Sequence, residues 1–294
     1  MSDYASPADI ARYGAYSISR RPDDTRPLYR FGGRLSSDGS TPYPAVPDRY
    51  HVYAGWFCPW SQRITLAVEL AGLSGIVGVS HVDSARDARG WAFRQTHGPD
   101  PVNGFTLLRD AYEHTEPGFD GHISVPVLWD RTENRIVSND FGTLDIDLAS
   151  QYDVTESGGI ELYPPALRAQ IDDLETWLRA DVNGTADAAA SGSPEAAATL
   201  KTAFADLDGR LAHSRFLLGD AVTLADTRLF VTLVRYDAAA ARSGAPRLRE
   251  FGELWRYARD LYALPAFTAT TDFGSFAGGD IVVADWRNPV AADQ

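Results

Sequence analysis

The sequence of 294 residues contains one cysteine, Cys58, one lysine, Lys201, and one methionine. A lone cysteine cannot form an internal disulfide, which excludes the disulfide frameworks of small secreted proteins. No apolar run approaches the roughly 18 residues that a membrane-spanning helix needs, and the N-terminal stretch lacks the basic and apolar regions of a secretory signal peptide. We therefore expect a cytoplasmic protein without a membrane segment.

Positive charge is also scarce. The formal net charge is −13 at pH 7, and the basic residues form no cluster. Nucleic acids and anionic membranes are bound by concentrated Lys and Arg, so we expect neither as a partner. Six scattered histidines and one cysteine offer no metal-ligand spacing, and no Gly-rich phosphate motif is present. We expect no metal cofactor.

The hydrophobic period changes along the chain. From Tyr50 to about residue 150, short apolar runs and one amphipathic segment indicate a β-α-β unit followed by a β-hairpin and a helix. After about residue 164, apolar residues recur every three to four positions, which is typical of a helical bundle. Gly and Pro in 156–165 mark a linker. We predict an extended N-terminal arm over 1–45, an α/β domain over 46–155 and an all-helical domain over 164–294.

Cys58 lies in the stretch HVYAGWFCPWSQR, where a predicted strand ends and a predicted helix begins. Backbone amides at a helix N-terminus carry about half a positive charge and stabilise a thiolate. Pro59 suits the first helical turn because its φ is already helical and its missing N–H costs nothing there. A lone cysteine is otherwise most often a small buried apolar group. The position at the helix start favours a reactive thiol.

The second motif is SVPVLWD, in which Val125 and Pro126 open a later strand. Proline cannot donate to a strand ladder, so it belongs at an edge or in a special peptide geometry. A cis bond here would let the Val125 backbone face a ligand, whereas a trans proline would be only an edge-strand feature. A Cys-Pro at a helix start followed by such a Val-Pro is the paired signature of thioredoxin-like domains. We therefore predict a cis peptide bond, with Val125 facing Cys58.

Several stretches together resemble one known family: DRYHVYAGWFCPWSQR, GWAF, VPVLWD, IVSND and FLLGDAVTLADTRLF. The chain is similar to the glutathionyl-hydroquinone reductases, also called Xi-class glutathione transferases and close to the Omega class. The resemblance implies a thioredoxin-like N-terminal domain, an all-helical C-terminal glutathione-transferase domain, and a homodimer. Cys58 matches the catalytic cysteine of this family.

Other positions are carried over from the resemblance. Trp91 matches a tryptophan that packs on the thiol cofactor, Val125 the residue whose backbone pairs with the cysteinyl part, and Arg109 a ligand of a cofactor carboxylate. Alternatively, Trp91 covers the hydrophobic core, and Arg109 is a solvent-exposed charge on a helix. In TLADTRLF, Thr223 and Asp226 have the spacing of a capping box that starts a core helix.

The sequence departs from the family pattern at the γ-glutamyl site. The family has a Glu-Ser pair after the hairpin, whereas this chain reads Asn139-Asp140-Phe141. Asp140 keeps a carboxylate that could accept an ammonium group, but Phe141 has no hydroxyl. The thiol co-substrate is therefore glutathione or another low-molecular-weight thiol, and we favour mycothiol, against whose sugar Phe141 could pack.

Further departures concern the acceptor. The family has His where this chain has Gln62, a tyrosine near position 186 where it has alanine or aspartate, and another tyrosine near the C-terminus, whereas no tyrosine follows Tyr262. Those hydroxyls would hydrogen-bond a hydroquinone oxygen.

The sequence thus predicts a cysteine-dependent thiol transferase and reductase acting on thiol conjugates of quinonoid or other electrophilic compounds through a mixed disulfide on Cys58. The alternative is a binding protein of the same fold that sequesters aromatic ligands without turnover. Cys58 reactivity across pH separates the two, because a binder does not need a thiolate.

Overall fold

The computed structural model describes residues 3–18, 23–243, 245–277 and 280–287. The chain divides into two compact units, Met1–Ile160 and Glu161–Gln294, which we call the N-terminal and C-terminal units. The division falls inside the stretch 156–165 that the sequence marks as a linker. The exact domain bounds given above stay a prediction.

The N-terminal unit is built on a four-stranded sheet. Its elements are α1 (Ile10–Tyr13), β1 (Leu35–Ser36), β2 (Tyr43–Pro44), β3 (Tyr50–Ala54), α2 (Pro59–Leu70), β4 (Gly78–His81), α3 (Leu108–Thr115), β5 (Val127–Asp130), β6 (Arg135–Ser138), α4 (Phe141–Ser150) and α5 (Val154–Ser157). The strand order is β4-β3-β5-β6, with β3 parallel to β4 and antiparallel to β5, and β5 antiparallel to β6. This β-α-β unit followed by a β-hairpin and a helix confirms the predicted thioredoxin-like topology.

Strand β3 is the centre of this unit because all five of its residues are buried. Its neighbour β5 is also fully buried, and Trp129 on β5 lies with its ring centroid 6.4 Å from that of Tyr53 on β3. Burial on both faces explains why these strands read as continuous apolar runs in the sequence. A rigid β3 fixes the point at which the chain leaves the sheet and enters α2.

The N-terminal arm is less extended than the sequence suggested. It contains the short helix α1 and the two-stranded parallel sheet β1-β2. Its first part follows the loop before α3: the Ala5 N–H donates to the Phe93 carbonyl at 3.0 Å, and the Asp9 N–H donates to the buried Asp87 carboxylate at 3.0 Å. Backbone hydrogen bonds and a buried acid, invisible to periodicity, give this segment its structure.

The described part of the C-terminal unit is helical and contains no strand. Its elements are α6 (Arg168–Leu178), a π-helical turn (Arg179–Asn183), α7 (Gly184–Ala190), α8 (Pro194–Leu211), α9 (Leu224–Ser243), a 3₁₀ turn (Leu248–Glu250), α10 (Gly252–Tyr262), α11 (Pro265–Ala269), a second 3₁₀ turn (Phe273–Ser275) and α12 (Asp280–Arg287). The predicted all-helical fold is confirmed. The short helices were missed because each is too brief to establish a helical period.

Helix α9 begins directly after Thr223, as the capping-box spacing predicts. The Asp226 carboxylate accepts the Thr223 N–H at 2.8 Å and the Tyr257 hydroxyl at 2.9 Å. Asp226 is fully buried, and burial raises the pKa of its carboxyl group. The residue therefore organises the core of the helical unit.

Buried histidines couple the stability of the N-terminal unit to pH. His51 on β3 is 2% exposed, and the Arg131 guanidinium donates to its Nδ1 at 3.1 Å. The Nε2 therefore carries the proton and donates to Ser80 Oγ at 2.8 Å. Burial, followed by the charges of Arg131 and His81, lowers the pKa of His51 to about 3. The folded protein holds this ring neutral.

We predict that the free energy of unfolding falls as pH drops from about 6.5 toward 4. The unfolded chain binds a proton at each such histidine near pH 6.5 while the folded chain does not, which costs about 1.4 kcal/mol per pH unit and per group. His51→Gln should remove one such contribution from the pH slope measured by urea unfolding. His213→Gln, a change at an exposed histidine, is the matched control. An unchanged slope in His51→Gln would show that this ring is protonated in the fold.

Candidate active site

Cys58 is the N-cap residue of α2, four residues after β3 ends. Its backbone is extended, and its Sγ accepts the Ser61 N–H at 3.4 Å. Pro59 occupies the first helical position, as predicted. The first-turn amide that bonds to Sγ is the group that would stabilise a thiolate.

The bond between Val125 and Pro126 is cis, which confirms the prediction. The Cys58 thiol donates to the Val125 carbonyl oxygen at 3.5 Å. The side chains of these two residues are nearly buried, with 8% of Cys58 and 7% of Val125 exposed. Cys58 and Val125 lie 67 positions apart in the sequence, and this hydrogen bond brings their two motifs into contact.

Trp91 lies on the Phe57 side of Cys58. Its ring is 4.4 Å from the ring of Phe57, centroid to centroid, and tilted by 33°. Trp91 is half-buried, and its backbone carbonyl accepts the Leu108 N–H at 2.9 Å, which ties the loop to α3. The ring is thus held next to the residue that precedes the cysteine.

Phe141 is the first residue of α4. Its ring stacks on that of Trp60, with centroids 4.5 Å apart and an angle of 16° between the planes. The edge of a third ring, that of Tyr29 from the N-terminal arm, meets Phe141 at 5.7 Å. Phe141 is therefore packed between a residue of the CPW motif and the arm.

Asn139 and Asp140 have different surroundings. Asn139 is 1% exposed, and its side chain accepts the Phe31 N–H at 3.2 Å and donates to Tyr112 and Ser124. Asp140 is the N-cap of α4, and its carboxylate accepts the Gly142 N–H at 3.0 Å. Asn139 joins the arm to the sheet, and Asp140 presents a partly exposed carboxylate at a helix start.

Arg109 is the candidate residue on α3. It lies in the first turn of α3 and lines a cavity of about 510 Å³ together with arm residues. The same cavity is lined by Asp23, Asp24, Arg26 and Asp120, and Arg26 forms ion pairs with Asp24 and Asp120. The assignment of Arg109 as a ligand of a cofactor carboxylate stays a prediction.

Three side chains that the sequence analysis did not identify also belong to this region. The Tyr16 hydroxyl accepts the Ile123 N–H at 3.0 Å and forms a second hydrogen bond with His122 Nδ1 at 3.0 Å. The Arg86 guanidinium lies 4.1 Å from the ring centres of both Tyr16 and Trp91. Burial raises the pKa of Tyr29, and the nearby charge of a Cys58 thiolate adds to this. In the sequence, the only feature that could have pointed to Tyr16 and Tyr29 was the presence of aromatic residues in an otherwise polar arm.

Comparisons with known proteins identify the family of this chain. A model of the glutathione S-transferase C-terminal domain matches residues 164–257. Glutathionyl-hydroquinone reductase YqjG of Escherichia coli is 32% identical over 254 residues, which is 82% of this chain and 77% of YqjG. The chain belongs to the family of glutathionyl-hydroquinone reductases, the Xi class of glutathione transferases.

Solved structures of the glutathione transferases support the same assignment. The glutathione-bound structure of YqjG has a TM-score of 0.76 and 30% identity, with 84% of this chain and 86% of that chain covered. A glutathione transferase from Gordonia bronchialis has a TM-score of 0.77 and 35% identity, covering 84% and 80%. A Xi-class transferase from Natrialba magadii has a TM-score of 0.79 and 29% identity, covering 89% and 86%.

As a Xi-class glutathione transferase, the chain is a thiol-dependent oxidoreductase. Two residues that depart from the family pattern are buried in helices. Gln62 is buried in α2, and Ala186 is buried in α7 directly after the π-helical turn. Within the described ranges, no group of three His, Cys, Asp or Glu side chains could hold a metal ion. In the same ranges, no helix is long and apolar enough to cross a membrane.

We predict that Cys58 alkylates with an apparent pKa below the roughly 8.5 of an ordinary cysteine. The Ser61 N–H and the helix terminus favour the thiolate, whereas burial and the Val125 carbonyl favour the thiol. Because the chain has no other cysteine, the rate of iodoacetamide labelling against pH reports this group alone. The urea-unfolded chain is the internal reference. A midpoint equal to or above that reference would show that burial and the Val125 carbonyl dominate.

Proposed function

We propose that this protein transfers and reduces thiol conjugates of quinonoid or other electrophilic compounds through a mixed disulfide on Cys58. The Cys58 thiolate attacks the sulfur of a thioether conjugate and forms an S–S bond. The C–S bond breaks, its electron pair stays on the organic fragment, and a proton completes the reduced product. A second thiol then attacks the mixed disulfide, releases a thiol disulfide and restores the thiolate.

The observation that carries this proposal is the position of the Cys58 sulfur, bonded to a first-turn amide of α2 and facing the Val125 carbonyl. A ligand sulfur in the same narrow space would lie against both groups. Since the chain has no second cysteine, the mixed disulfide has to be resolved by an external thiol. Each turnover therefore consumes one free thiol, and the released disulfide joins it to the thiol that the conjugate delivered.

The thiol is either glutathione or a sugar-linked thiol such as mycothiol. Glutathione is supported by the relatives, one of which has been solved with glutathione bound. Mycothiol is supported by Phe141, which stands where the family has a serine hydroxyl. The stacking of Phe141 on Trp60 gives that ring a structural role as well. Binding measurements distinguish the two thiols.

A non-catalytic protein that sequesters aromatic ligands is the alternative. The rings of Phe57, Trp60, Trp91 and Phe141 near Cys58 would suit such a protein. The bond from the Ser61 N–H to the sulfur favours the enzyme, because a binding site gains nothing from an activated thiol. A homodimer in the cytoplasm, as the family resemblance implies, is part of the proposal.

We predict that Cys58→Ser reduces reductive turnover of quinone thioether conjugates to background, a loss of at least about 1,000-fold, since a hydroxyl cannot form the mixed disulfide. Product and thiol disulfide would be measured together by chromatography. Ser61→Ala, which keeps both the sulfur and the backbone N–H, is the control and should stay active. A Cys58→Ser enzyme with most of its reductase activity would refute the mechanism.

We also predict that the native enzyme binds glutathione weakly and that Phe141→Ser strengthens this binding by roughly ten- to a hundredfold. The added hydroxyl would supply one hydrogen bond to a charged group, which contributes about 1.5–3 kcal/mol. Calorimetric titration with glutathione and with mycothiol measures the change. Phe141→Leu removes the ring without adding a hydroxyl and separates the two effects. Tight glutathione binding by the unmodified chain would show that Asp140 and nearby amides suffice.

A further inference from the structure

The reaction proposed above needs a proton donor beside Cys58. When the C–S bond of the conjugate breaks, its electron pair stays on the organic fragment, and a proton must reach that fragment before it leaves. Cys58 is only 8% exposed, and aromatic rings pack on residues close to it, Trp91 on Phe57 and Phe141 on Trp60. Apolar cover of this kind restricts water at the sulfur. We therefore expect a side chain to supply the proton.

The ring of Tyr29 contacts residues next to both motifs of the site. It meets Phe141 at 5.7 Å, centroid to centroid, with 88° between the planes, and Phe141 stacks on Trp60 of the CPW motif. It meets His122 at 6.1 Å and 65°, and His122 lies three residues before Val125. Two edge contacts of this kind orient an aromatic ring. Tyr29 is therefore packed where the Cys-Pro and Val-Pro segments come together.

The Tyr29 hydroxyl is free to bind a ligand. The side chain is half-buried, and within the described ranges its hydroxyl forms no hydrogen bond. Burial, followed by the charge of a Cys58 thiolate, raises the pKa of Tyr29. A phenol with a raised pKa keeps its proton at neutral pH. The group is therefore an acid in its protonated form, in the electrostatic field of the reactive sulfur.

The other polar groups near the cysteine are less suited to give up a proton. The Tyr16 hydroxyl already forms two hydrogen bonds, one of them with His122. Burial and the charge of Arg86 lower the pKa of His122, so this ring is neutral at neutral pH. The Asp140 carboxylate accepts a first-turn amide of α4 as its N-cap. Among the described residues around the two motifs, Tyr29 is the acid with an uncommitted proton.

We propose that Tyr29 is a catalytic residue that carries the proton of the reaction from the second thiol to the organic product. The assignment rests on the proposed function, since it needs cleavage of a thioether at Cys58. In the first half-reaction, Cys58 forms the S–S bond, the C–S bond breaks, and the Tyr29 hydroxyl protonates the carbon that held the sulfur. In the second, the Tyr29 phenolate takes the proton of the incoming thiol. The resulting thiolate attacks the mixed disulfide and restores the Cys58 thiolate.

This cycle balances protons and electrons. The organic fragment gains the electron pair of the C–S bond and one proton, and the sulfurs of the two thiol molecules are oxidised to a disulfide. The proton originates from the second thiol, and its transfer returns Tyr29 to the starting form. A phenolate whose conjugate acid has a raised pKa is a stronger base than a thiolate, whose conjugate acid has a pKa of about 8.5. Proton transfer from the incoming thiol to Tyr29 is therefore favourable.

The test uses two probes that share the thiol and differ in the leaving group. One is the thioether with 1,4-hydroquinone, whose carbon needs a proton to leave. The other is the mixed disulfide with 5-thio-2-nitrobenzoate, which leaves as a stable thiolate. Both are prepared with glutathione and with mycothiol. In single turnovers of the full chain, Tyr29→Phe should release hydroquinone at least about 100-fold more slowly than the native protein, with nitrobenzoate release unchanged.

Two further variants complete the test. Tyr43→Phe removes the hydroxyl of another half-buried tyrosine of the arm and should leave both rates at their native values. Tyr29→3-fluorotyrosine keeps the ring and makes the phenol more acidic, so hydroquinone release should be faster while nitrobenzoate release stays the same. Urea unfolding checks the fold of each variant. We expect the native midpoint for Tyr29→Phe, because the lost hydroxyl forms no hydrogen bond within the described ranges.

Hydroquinone release at the native rate by Tyr29→Phe would overturn the assignment. So would an equal slowing of both probes, which would mean that Tyr29 supports the thiolate or the fold, and so would an unchanged rate in the fluorotyrosine variant. A native protein that releases the nitrobenzoate thiolate but no hydroquinone would instead refute the proposed function. The failure of the Tyr29 assignment and the failure of the function therefore give different results.

Discussion

The structure of the site depends on the junction between β3 and α2. Strand β3 is buried on both faces, so the chain leaves the sheet at a fixed point, and the helix that follows needs an N-cap. Cys58 fills that position and accepts a first-turn amide through sulfur. Sulfur is a weak hydrogen-bond acceptor, and the same amide would stabilise a thiolate. In the proposed mechanism, one contact therefore serves both the helix start and the reactivity of Cys58.

A second constraint comes from the N-terminal arm. The arm is bound along the loop before α3 by backbone hydrogen bonds and by Asp87, whose carboxyl pKa is held well below its usual range by the Arg89 guanidinium. This binding brings Tyr16 and Tyr29 to the thioredoxin-like core. Both rings then contact residues next to the cysteine motif or the Val-Pro motif. A segment without regular hydrophobic period thus completes the surroundings of the site.

Charge is distributed so that the site differs from the rest of the molecule. The chain is strongly acidic, and its N-terminal unit neutralises several arginines in pairs with carboxylates. Arg86 is half-buried between the rings of Tyr16 and Trp91, and within the described ranges it has no carboxylate partner. Asp140, by contrast, caps α4 and keeps a partly exposed carboxylate. The candidate site thus has an arginine packed on Trp91 and an acid at the start of α4 beside Phe141.

The sequence by itself determined the fold class, the position of Cys58 at a helix start and the cis Val125–Pro126 bond. These features have local signatures: buried strands read as apolar runs, a helix start is marked by Cys-Pro, and a proline cannot sit in an ordinary ladder position. The family resemblance added Trp91, Asp140 and Phe141 as candidate site residues. The sequence did not predict short helices such as α3 and α7, because one or two helical turns are too few to establish a hydrophobic period.

Only the tertiary structure decided which distant side chains pack around the neighbours of the cysteine. Tyr16, Tyr29 and Arg86 come from segments whose sequence carries no periodic signal, and the ring contacts of Tyr16 with His122 and Arg86 and of Tyr29 with Phe141 join segments far apart in the chain. Arg109 fits a family position in the sequence, and only the structure shows that it lines a cavity together with arm residues of both charges. Propensity and spacing act over a few residues. The charge and packing partners of a side chain are set by segments that are distant in the chain.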